Sequence, residues 1–241
     1  MKQAATATTI LAPAPGERVV VERLAGTTPG YVFLHGLGSV RAGEKSAALL
    51  EHARRQERAF TRFDFRGHGE STGTIGVVTM SELLVDAGLV LDLAGPSILV
   101  GSSLGALVAA HLAAARPSQV RALALLAPAF GFLPRMRNRL DGHGRLRTSE
   151  GMEFIVHERA LKDAASHDEA GLPQKLSMPV FLAHGTQDEL VPCTLSQAFF
   201  DGLAQQSKEL WLVPGGDHRL NHEIAAILAR MDAFLRRSGA I

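Results

Sequence analysis

The sequence has very little cysteine and almost no net charge. Cys193 is the only cysteine among 241 residues, which excludes an internal disulfide framework and agrees with a reducing compartment. A formal net charge of +1 gives no electrostatic reason to expect a nucleic-acid partner. Hydrophobic residues nevertheless make up 46% of the chain, enough to build a sizeable core. These numbers indicate a globular protein that fits one large domain, residues 1–241.

Long apolar runs and metal-binding motifs are also missing. The longest weakly polar run, at 122–134, is interrupted by proline and glycine and is too short to span a bilayer. The first residues contain one lysine and no apolar stretch of signal-peptide length. No H-x-H or H-E-x-x-H pattern occurs, and the glycine-rich loops miss the G-x-G-x-x-G spacing of dinucleotide sites. We therefore expect a cytoplasmic monomer or small homo-oligomer without a metal or cofactor.

Short apolar runs alternate with helix-length segments from residue 30 onward. Strands are predicted at 30–36, 59–65, 97–101, 120–129, 178–185 and 209–216, and helices at 43–57, 80–95, 104–117 and 222–237. Near-continuous apolar strands separated by helices predict an α/β fold, with a mostly parallel central sheet flanked by helices. The opening segment, 8–24, predicts an antiparallel hairpin at one edge.

Residues 130–176 interrupt this alternation. The segment contains no clear strand pattern, and its stretch 150–165 is helix-like, so we expect a small helical lid or cap inserted into the fold. Phe130 and Met136 are candidates for an acyl pocket, with simple packing of the lid on the core as the alternative. Five arginines crowd its stretch 135–147 and either meet a substrate carboxylate or form a solvated basic loop: Arg135, Arg137, Arg139, Arg145 and Arg147.

The pattern G-x-S-x-G occurs twice, as GESTG at 69–73 and GSSLG at 101–105. A serine made reactive by geometry needs a strand running into it, a helix running out, and small residues two positions away on both sides. GSSLG lies between a predicted strand and a predicted helix, which makes Ser103 the candidate nucleophile. GESTG follows R-G-H rather than a strand and precedes a segment with poor helix propensity, so Ser71 is not expected to be a nucleophile.

A serine nucleophile needs a base beside it and an acid that holds the base. In a parallel sheet, catalytic groups come from loops at the carboxyl ends of strands. His218 directly follows the last predicted strand, and Asp188 follows the penultimate one. Asp217 is adjacent to the base in sequence, where neighbouring side chains usually point apart. His184, at a strand end, is expected to be a structural hydrogen-bonding residue.

Acyl transfer also needs two donors for the tetrahedral oxyanion. The backbone N–H of Leu104, the residue after the nucleophile, is the first candidate. The second is the backbone N–H of Leu37, in the loop after the first parallel strand. Gly36, and with it Gly38, is expected to let this loop approach the substrate closely.

Five segments in this order resemble the α/β-hydrolase superfamily: LHGLGS, DFRGHGEST, ILVGSSLGA, HGTQDELVP and GGDHRL. Within it, the chain looks most similar to the abhydrolase group of the mycophenolic acid acyl-glucuronide esterase and palmitoyl-protein thioesterase, and also to bacterial carboxylesterases and feruloyl esterases. The resemblance implies a catalytic triad of Ser103, Asp188 and His218 acting on a small-molecule ester. A thioesterase is the alternative within this class, and a non-catalytic α/β-hydrolase-fold binding protein is the alternative outside it.

Overall fold

A computed structural model describes residues 5–149 and 151–241. Its strands are β1 Thr6–Leu11, β2 Val19–Leu24, β3 Thr27–Leu34, β4 Arg58–Phe63, β5 Ser97–Ser102, β6 Val120–Leu126, β7 Arg145–Arg147, β8 Glu153–Ile155, β9 Val180–Gly185 and β10 Lys208–Val213. The helices are α1 Glu44–Arg55, α2 Met80–Ala94, α3 Leu104–Ala115, α4 Phe132–Arg135, α5 Glu158–Ala164, α6 Cys193–Gly202 and α7 Ile224–Arg237.

Eight strands form the central sheet in the order β1-β2-β4-β3-β5-β6-β9-β10. From β4 to β10 every neighbouring pair is parallel, whereas β1 pairs with β2, and β2 with β4, in antiparallel fashion. The predicted α/β class and the antiparallel edge are therefore confirmed. The carboxyl ends of β3, β5, β9 and β10 all point to one edge of the sheet, which is where the candidate site residues follow.

The middle of each central strand is apolar because both faces of the sheet are covered. Along β5, Ile98 and Val100 point to one face and join a core layer with α1 and α7. Leu99 points to the other face and packs with α2 and α3. Helix α3 lies in the middle of that second layer, and nine of its twelve residues are buried. Within the described residues, no helix is long and apolar enough to cross a membrane.

The segment 130–176 is not purely helical. Strands β7 and β8 form an antiparallel hairpin in which Leu146 faces Phe154, so the expectation of no strand here was wrong. The helix predicted over 150–165 is shorter than expected: α5 spans Glu158–Ala164. Gly151, at φ +84°, closes the turn between the strands. After it, Glu153 and Ile155 are exposed while Phe154 is partly buried, an alternation of period two that belongs to a strand.

Candidate active site

Ser103 lies at the sharp turn between β5 and α3. Its backbone has φ 53° and ψ −119°, an unfavourable conformation for a residue with a side chain. The glycines on either side permit the turn. A Cβ atom on Gly101 would lie 2.4 Å from Ala106 Cα, and one on Gly105 would lie 2.2 Å from the carbonyl oxygen of Leu34. The turn therefore requires glycine two residues before and two residues after the serine.

We expect Gly105→Ala to destabilise the fold by about 3 kcal/mol, since the new methyl group would overlap backbone atoms that cannot move independently. Gly142→Ala is the matched control, because neither glycine has a positive φ and a Cβ at Gly142 meets nothing within 4 Å. Its effect should stay within about 0.5 kcal/mol. Urea unfolding of the three proteins measures both values, and equal stability of the two variants would contradict the steric argument.

The second G-x-S-x-G copy has a structural role. The hydroxyl of Ser71 donates to the backbone carbonyl of Asp64 at 2.7 Å and accepts from the backbone N–H of Val20 at 2.9 Å. Gly69 and Gly73 both have positive φ, so the pattern here arises from a tight loop rather than from a strand-to-helix turn. Ser71 ties this loop to the neighbouring strand.

Three side chains form a continuous hydrogen-bonded chain above the carboxyl edge of the sheet. Ser103 Oγ lies 2.9 Å from His218 Nε2, and His218 Nδ1 lies 2.7 Å from Asp188 Oδ2. The imidazole is therefore held at both ring nitrogens, with the hydroxyl on one side and the carboxylate on the other. The structure brings together the three residues that the sequence nominated separately.

Asp188 is saturated with hydrogen-bond donors. Its Oδ1 accepts from the backbone N–H groups of Leu190 at 2.9 Å and Val191 at 2.8 Å, and its Oδ2 lies 2.9 Å from His184 Nε2 as well as facing His218. Burial acts to raise the pKa of Asp188, but the hydrogen bonds from His184, His218 and Val191 outweigh it and hold that pKa well below its ordinary value. The carboxylate is ionised whenever the protein is folded near neutral pH.

The loops after β9 and β10 are joined by backbone contacts. Thr186 donates to the carbonyl of Val213 at 3.0 Å, and Gln187 donates to that of Gly216 at 2.9 Å. A Cβ atom on Gly185 would lie 2.2 Å from the carbonyl oxygen of Gly216, so the two loops pass in direct contact. Parallel pairing of β9 with β10 thus sets the distance between the acid and the base.

The two backbone amides proposed as oxyanion donors lie beside the serine. Leu104 is the first residue of α3, so its N–H has no acceptor within the helix. The loop with Leu37 passes close by, because a Cβ atom on Gly36 would lie 3.2 Å from Ser103 Cβ. Among residues 5–149 and 151–241, neither amide donates to a backbone carbonyl. The absence of a backbone acceptor is what the proposed oxyanion role of both N–H groups requires.

His35 stabilises the start of that loop through two hydrogen bonds. The backbone N–H of Phe65 donates to His35 Nε2 at 3.1 Å, and His35 Nδ1 lies 2.8 Å from the carbonyl oxygen of Gly36. Burial, followed by the nearby ring of His68, lowers the pKa of His35 to about 3. The ring therefore stays neutral, and it adds no positive charge beneath the oxyanion loop.

Three cavities lie near Ser103, and two of them border it. The polar cavity, about 410 Å³, borders Ser103 and His218 and is lined by Ser39, Glu44, Lys45, Ser46, Arg219 and Asn221. The central cavity, about 330 Å³, borders Ser103, Leu104 and His218 and is lined by Ala129, Arg139, Arg147, Glu189 and Leu190. The apolar cavity, about 50 Å³, borders Leu37 and Leu104 and is lined by Val78, Leu83, Met136, Phe154, Ala160 and Ala164.

The two apolar candidates of the segment 130–176 have different positions. Met136 lines the apolar cavity, as a substrate-binding residue would. Phe130 lines none of these three cavities, and its contacts favour the alternative in which it packs the segment on the core. Its ring is buried and stacks on that of Phe199, with centroids 4.0 Å apart. Phe199 lies on α6, which follows the loop that holds Asp188.

The arginines of the segment also divide. Arg137 pairs with Glu158 at 2.8 Å, and Arg139 donates to the backbone carbonyl of Leu190 in the Asp188 loop. Arg139 and Arg147 line the central cavity, a position from which they could meet a substrate carboxylate. The turn of the hairpin reaches the oxyanion loop, where Thr148 packs against Gly38.

Comparison with known proteins agrees with this architecture. The family model described as serine aminopeptidase, S33, matches residues 30–172 and 159–225. A curated mouse protein, "Palmitoyl-protein thioesterase ABHD10, mitochondrial", is 33% identical over 236 residues, which cover 91% of this chain and 80% of that protein. The solved structure of mouse alpha/beta hydrolase domain-containing protein 10 superposes with a TM-score of 0.84 at 28% identity, covering 96% of this chain and 99% of that one.

A second solved structure, Est1E from Butyrivibrio proteoclasticus with ferulic acid bound, also superposes with a TM-score of 0.84. It covers 97% of this chain and all of that chain, but at 21% identity the likeness concerns the fold alone. The family model and the mouse relative both span most of the sequence, including the segments that hold Ser103 and Asp188. The chain belongs to the α/β-hydrolase superfamily, within the family described as serine aminopeptidase, S33.

Proposed function

We propose that this protein is a serine hydrolase that cleaves carboxylic esters through an acyl-enzyme intermediate. The observation that supports this most directly is the hydrogen-bonded chain from Ser103 Oγ to His218 at 2.9 Å and from His218 to Asp188 at 2.7 Å. Serine alone is a poor nucleophile, and this arrangement supplies the base and the group that orients it.

The reaction has two steps. His218 Nε2 takes the proton of the Ser103 hydroxyl while Oγ bonds to the ester carbonyl carbon, and the oxyanion is held by the N–H groups of Leu37 and Leu104. His218 then gives the proton to the leaving oxygen as the carbon–oxygen bond breaks. Water adds to the acyl-enzyme in the same way, and cleavage of the ester to Ser103 releases the acid. Asp188 stabilises the imidazolium in both steps.

The cavities suggest which half of the ester lies on which side. The leaving group must lie near His218, which donates its proton, and His218 borders the polar cavity but not the apolar one. The acyl group is the other substituent of the carbonyl carbon, and Leu104, next to Ser103, borders the apolar and central cavities but not the polar one. We therefore propose a substrate with an apolar acyl group and a polar leaving group.

A thioester is the second candidate substrate. The mouse relative at 33% identity is named a palmitoyl-protein thioesterase, and the same acyl-enzyme chemistry releases a thiol instead of an alcohol. The triad does not distinguish the two, because in both cases the attacked group is an acyl carbon and the acyl-enzyme is identical.

A panel of paired oxygen and sulfur esters with matched acyl groups tests the proposal. We expect hydrolysis of both kinds, labelling of the protein by a fluorophosphonate, and a burst of leaving group equal to the enzyme concentration when deacylation is slow. A protein that binds these esters without hydrolysing them, and that takes up no label, would be a binding protein rather than an enzyme.

Met136→Ala should shift the acyl preference toward longer chains, because it enlarges the small apolar cavity. We expect the ratio of kcat/KM for octanoyl over butyryl esters to rise about tenfold, the lower end of the effect of one methylene in an apolar pocket. Met152→Ala is the control, since Met152 belongs to the same segment, is 46% exposed and lines none of the three cavities. An unchanged ratio in Met136→Ala would assign the acyl group to another cavity.

We further propose that residues 130–176 act as a cap over a single domain, since this segment supplies one wall of the central and apolar cavities. Cytoplasmic location and a monomeric or small homo-oligomeric state also stay proposals. The curated relative is named mitochondrial, so fractionation of cells that express the native protein decides between the two compartments, and size-exclusion chromatography with light scattering gives the oligomeric state.

A further inference from the structure

A second histidine contacts the acid of the proposed triad. His184 lies in β9, with its side chain fully buried, and its Nε2 is 2.9 Å from Asp188 Oδ2. This is the same carboxylate oxygen that faces His218 Nδ1 at 2.7 Å. One oxygen of Asp188 therefore lies between two imidazole rings, and only one of them reaches Ser103.

The surroundings of His184 determine where its proton lies. Nε2 has two acceptors, Asp188 Oδ2 and the backbone carbonyl of Val191 at 3.0 Å, so Nε2 carries a hydrogen. Nδ1 faces the hydroxyl of Ser196, on α6, at 2.6 Å. That hydroxyl can donate to Nδ1 of the neutral ring. Ser196 thus selects the tautomer in which His184 donates to Asp188.

The contact completes the hydrogen bonding of the carboxylate. A carboxylate accepts about four hydrogen bonds, and Asp188 receives two backbone N–H groups on Oδ1 and one imidazole N–H from each ring on Oδ2. The titratable side chains hydrogen-bonded in this network are Asp188, His184 and His218, and α6 adds only the uncharged hydroxyl of Ser196. Rotation of the carboxylate away from His218 would break several of these four hydrogen bonds.

We propose that His184 is a positioning residue for the hydrolytic reaction, which orients Asp188 and shares its negative charge with His218. This inference rests on the proposed function and deepens it. Two consequences follow. Asp188 is held in the one orientation that serves His218, and its attraction for the His218 imidazolium is weakened because part of its charge is directed to His184.

The charge sharing has a defined sign. The protonated form of His218 cannot accept the proton of Ser103, so activity is lost at low pH when that form dominates. Without the His184 N–H, the full charge of Asp188 Oδ2 acts on His218 and stabilises its protonated form. The acid limb of the kcat/KM profile should then move to higher pH, and the wild-type protein should work at lower pH than the variant.

Steady-state kinetics from pH 4.5 to 9 of His184→Phe, His184→Gln and Ser196→Ala test the proposal. For His184→Phe, which keeps a planar ring but no donor, we expect the acid midpoint to rise by about half to one pH unit. Its kcat should fall about 10- to 100-fold while KM changes little, because the defect lies in orientation and not in binding. His184→Gln retains an N–H donor and should restore most of the activity and the midpoint.

Ser196→Ala removes only the hydroxyl and should shift the midpoint in the same direction by a smaller amount. It also keeps the proposal testable if His184→Phe fails to fold. Ser97→Ala is its matched control, since the Ser97 hydroxyl is buried and donates to the backbone carbonyl of Gly95 at 2.8 Å, on the opposite end of the sheet. Ser97→Ala should leave the pH profile unchanged.

The outcomes separate the two proposals. A wild-type protein that neither hydrolyses esters nor reacts with a fluorophosphonate would contradict the proposed function itself. An active wild type together with a folded His184→Phe that keeps the wild-type kcat and midpoint would contradict only the role of His184. The same holds if His184→Gln and Ser196→Ala both fold and behave alike, with reduced kcat and an unmoved midpoint, because a merely structural residue gives that result.

Discussion

Ser103→Ala is expected to lower kcat for ester hydrolysis by about six orders of magnitude and to abolish fluorophosphonate labelling. The hydroxyl is the proposed nucleophile, and it is the group that lies 2.9 Å from His218 Nε2 at the end of β5. Without it no acyl-enzyme forms, and only the positioning of ester and water beside the oxyanion amides remains. Substrate binding should persist, with Kd for a non-hydrolysable ester analogue close to the wild-type value.

Ser71→Ala provides the matched control for that experiment, because Ser71 occupies the central position of the other G-x-S-x-G copy. Its hydroxyl makes two hydrogen bonds within the protein, so the variant should lose about 1–3 kcal/mol of stability and keep its labelling and activity at a temperature where it is folded. Loss of labelling in Ser71→Ala but not in Ser103→Ala would identify Ser71 as the nucleophile and contradict our proposal.

Asp188→Asn should lower kcat by about four orders of magnitude. The amide that replaces the carboxylate has no charge to stabilise the His218 imidazolium. If its NH2 group turns toward His218 Nδ1, it also selects the tautomer whose Nε2 carries a hydrogen and cannot accept the proton of Ser103. Because hydrogen bonds hold the pKa of Asp188 well below its ordinary value, the carboxylate is ionised across the whole measurable range. Loss of wild-type activity at mildly acidic pH therefore reports on the base and not on Asp188.

Asp217→Asn is the control for the acid, since Asp217 was the alternative candidate next to the base. Its Oδ1 accepts from the backbone N–H groups of Arg219 at 3.0 Å and Leu220 at 2.8 Å, contacts that an amide oxygen can also make. We expect its kcat to stay within about threefold of the wild type. A wild-type rate in Asp188→Asn together with a large loss in Asp217→Asn would transfer the acid to Asp217.

The main elements of the fold were predictable because local pattern and environment agree. The continuous apolar run at 97–101 predicted a buried strand, and β5 covers Ser97–Ser102 with both faces packed. The hairpin of β7 and β8 was missed because each strand has three residues, too few for a period of two to stand out.

Which residues follow the carboxyl ends of the strands can be read from the sequence. Gly101, Ser103 and Gly105 specify a strand-to-helix turn locally, and the order of the parallel strands brings the loops with Asp188 and His218 beside it. The order of strands along the chain and the small space around the turn were enough to propose Ser103, Asp188 and His218 as the triad.

The packing partners of the candidate site residues depend on the tertiary structure. Phe130 and Met136 lie in one segment with similar apolar character, yet Phe130 stacks on Phe199 and only Met136 reaches a cavity. Sequence placed His184 at a strand end, but its contact with the same oxygen of Asp188 that faces His218 depends on the conformation of the loop and on α6. Such contacts join side chains through packing, and packing depends on the whole chain rather than on any one stretch of it.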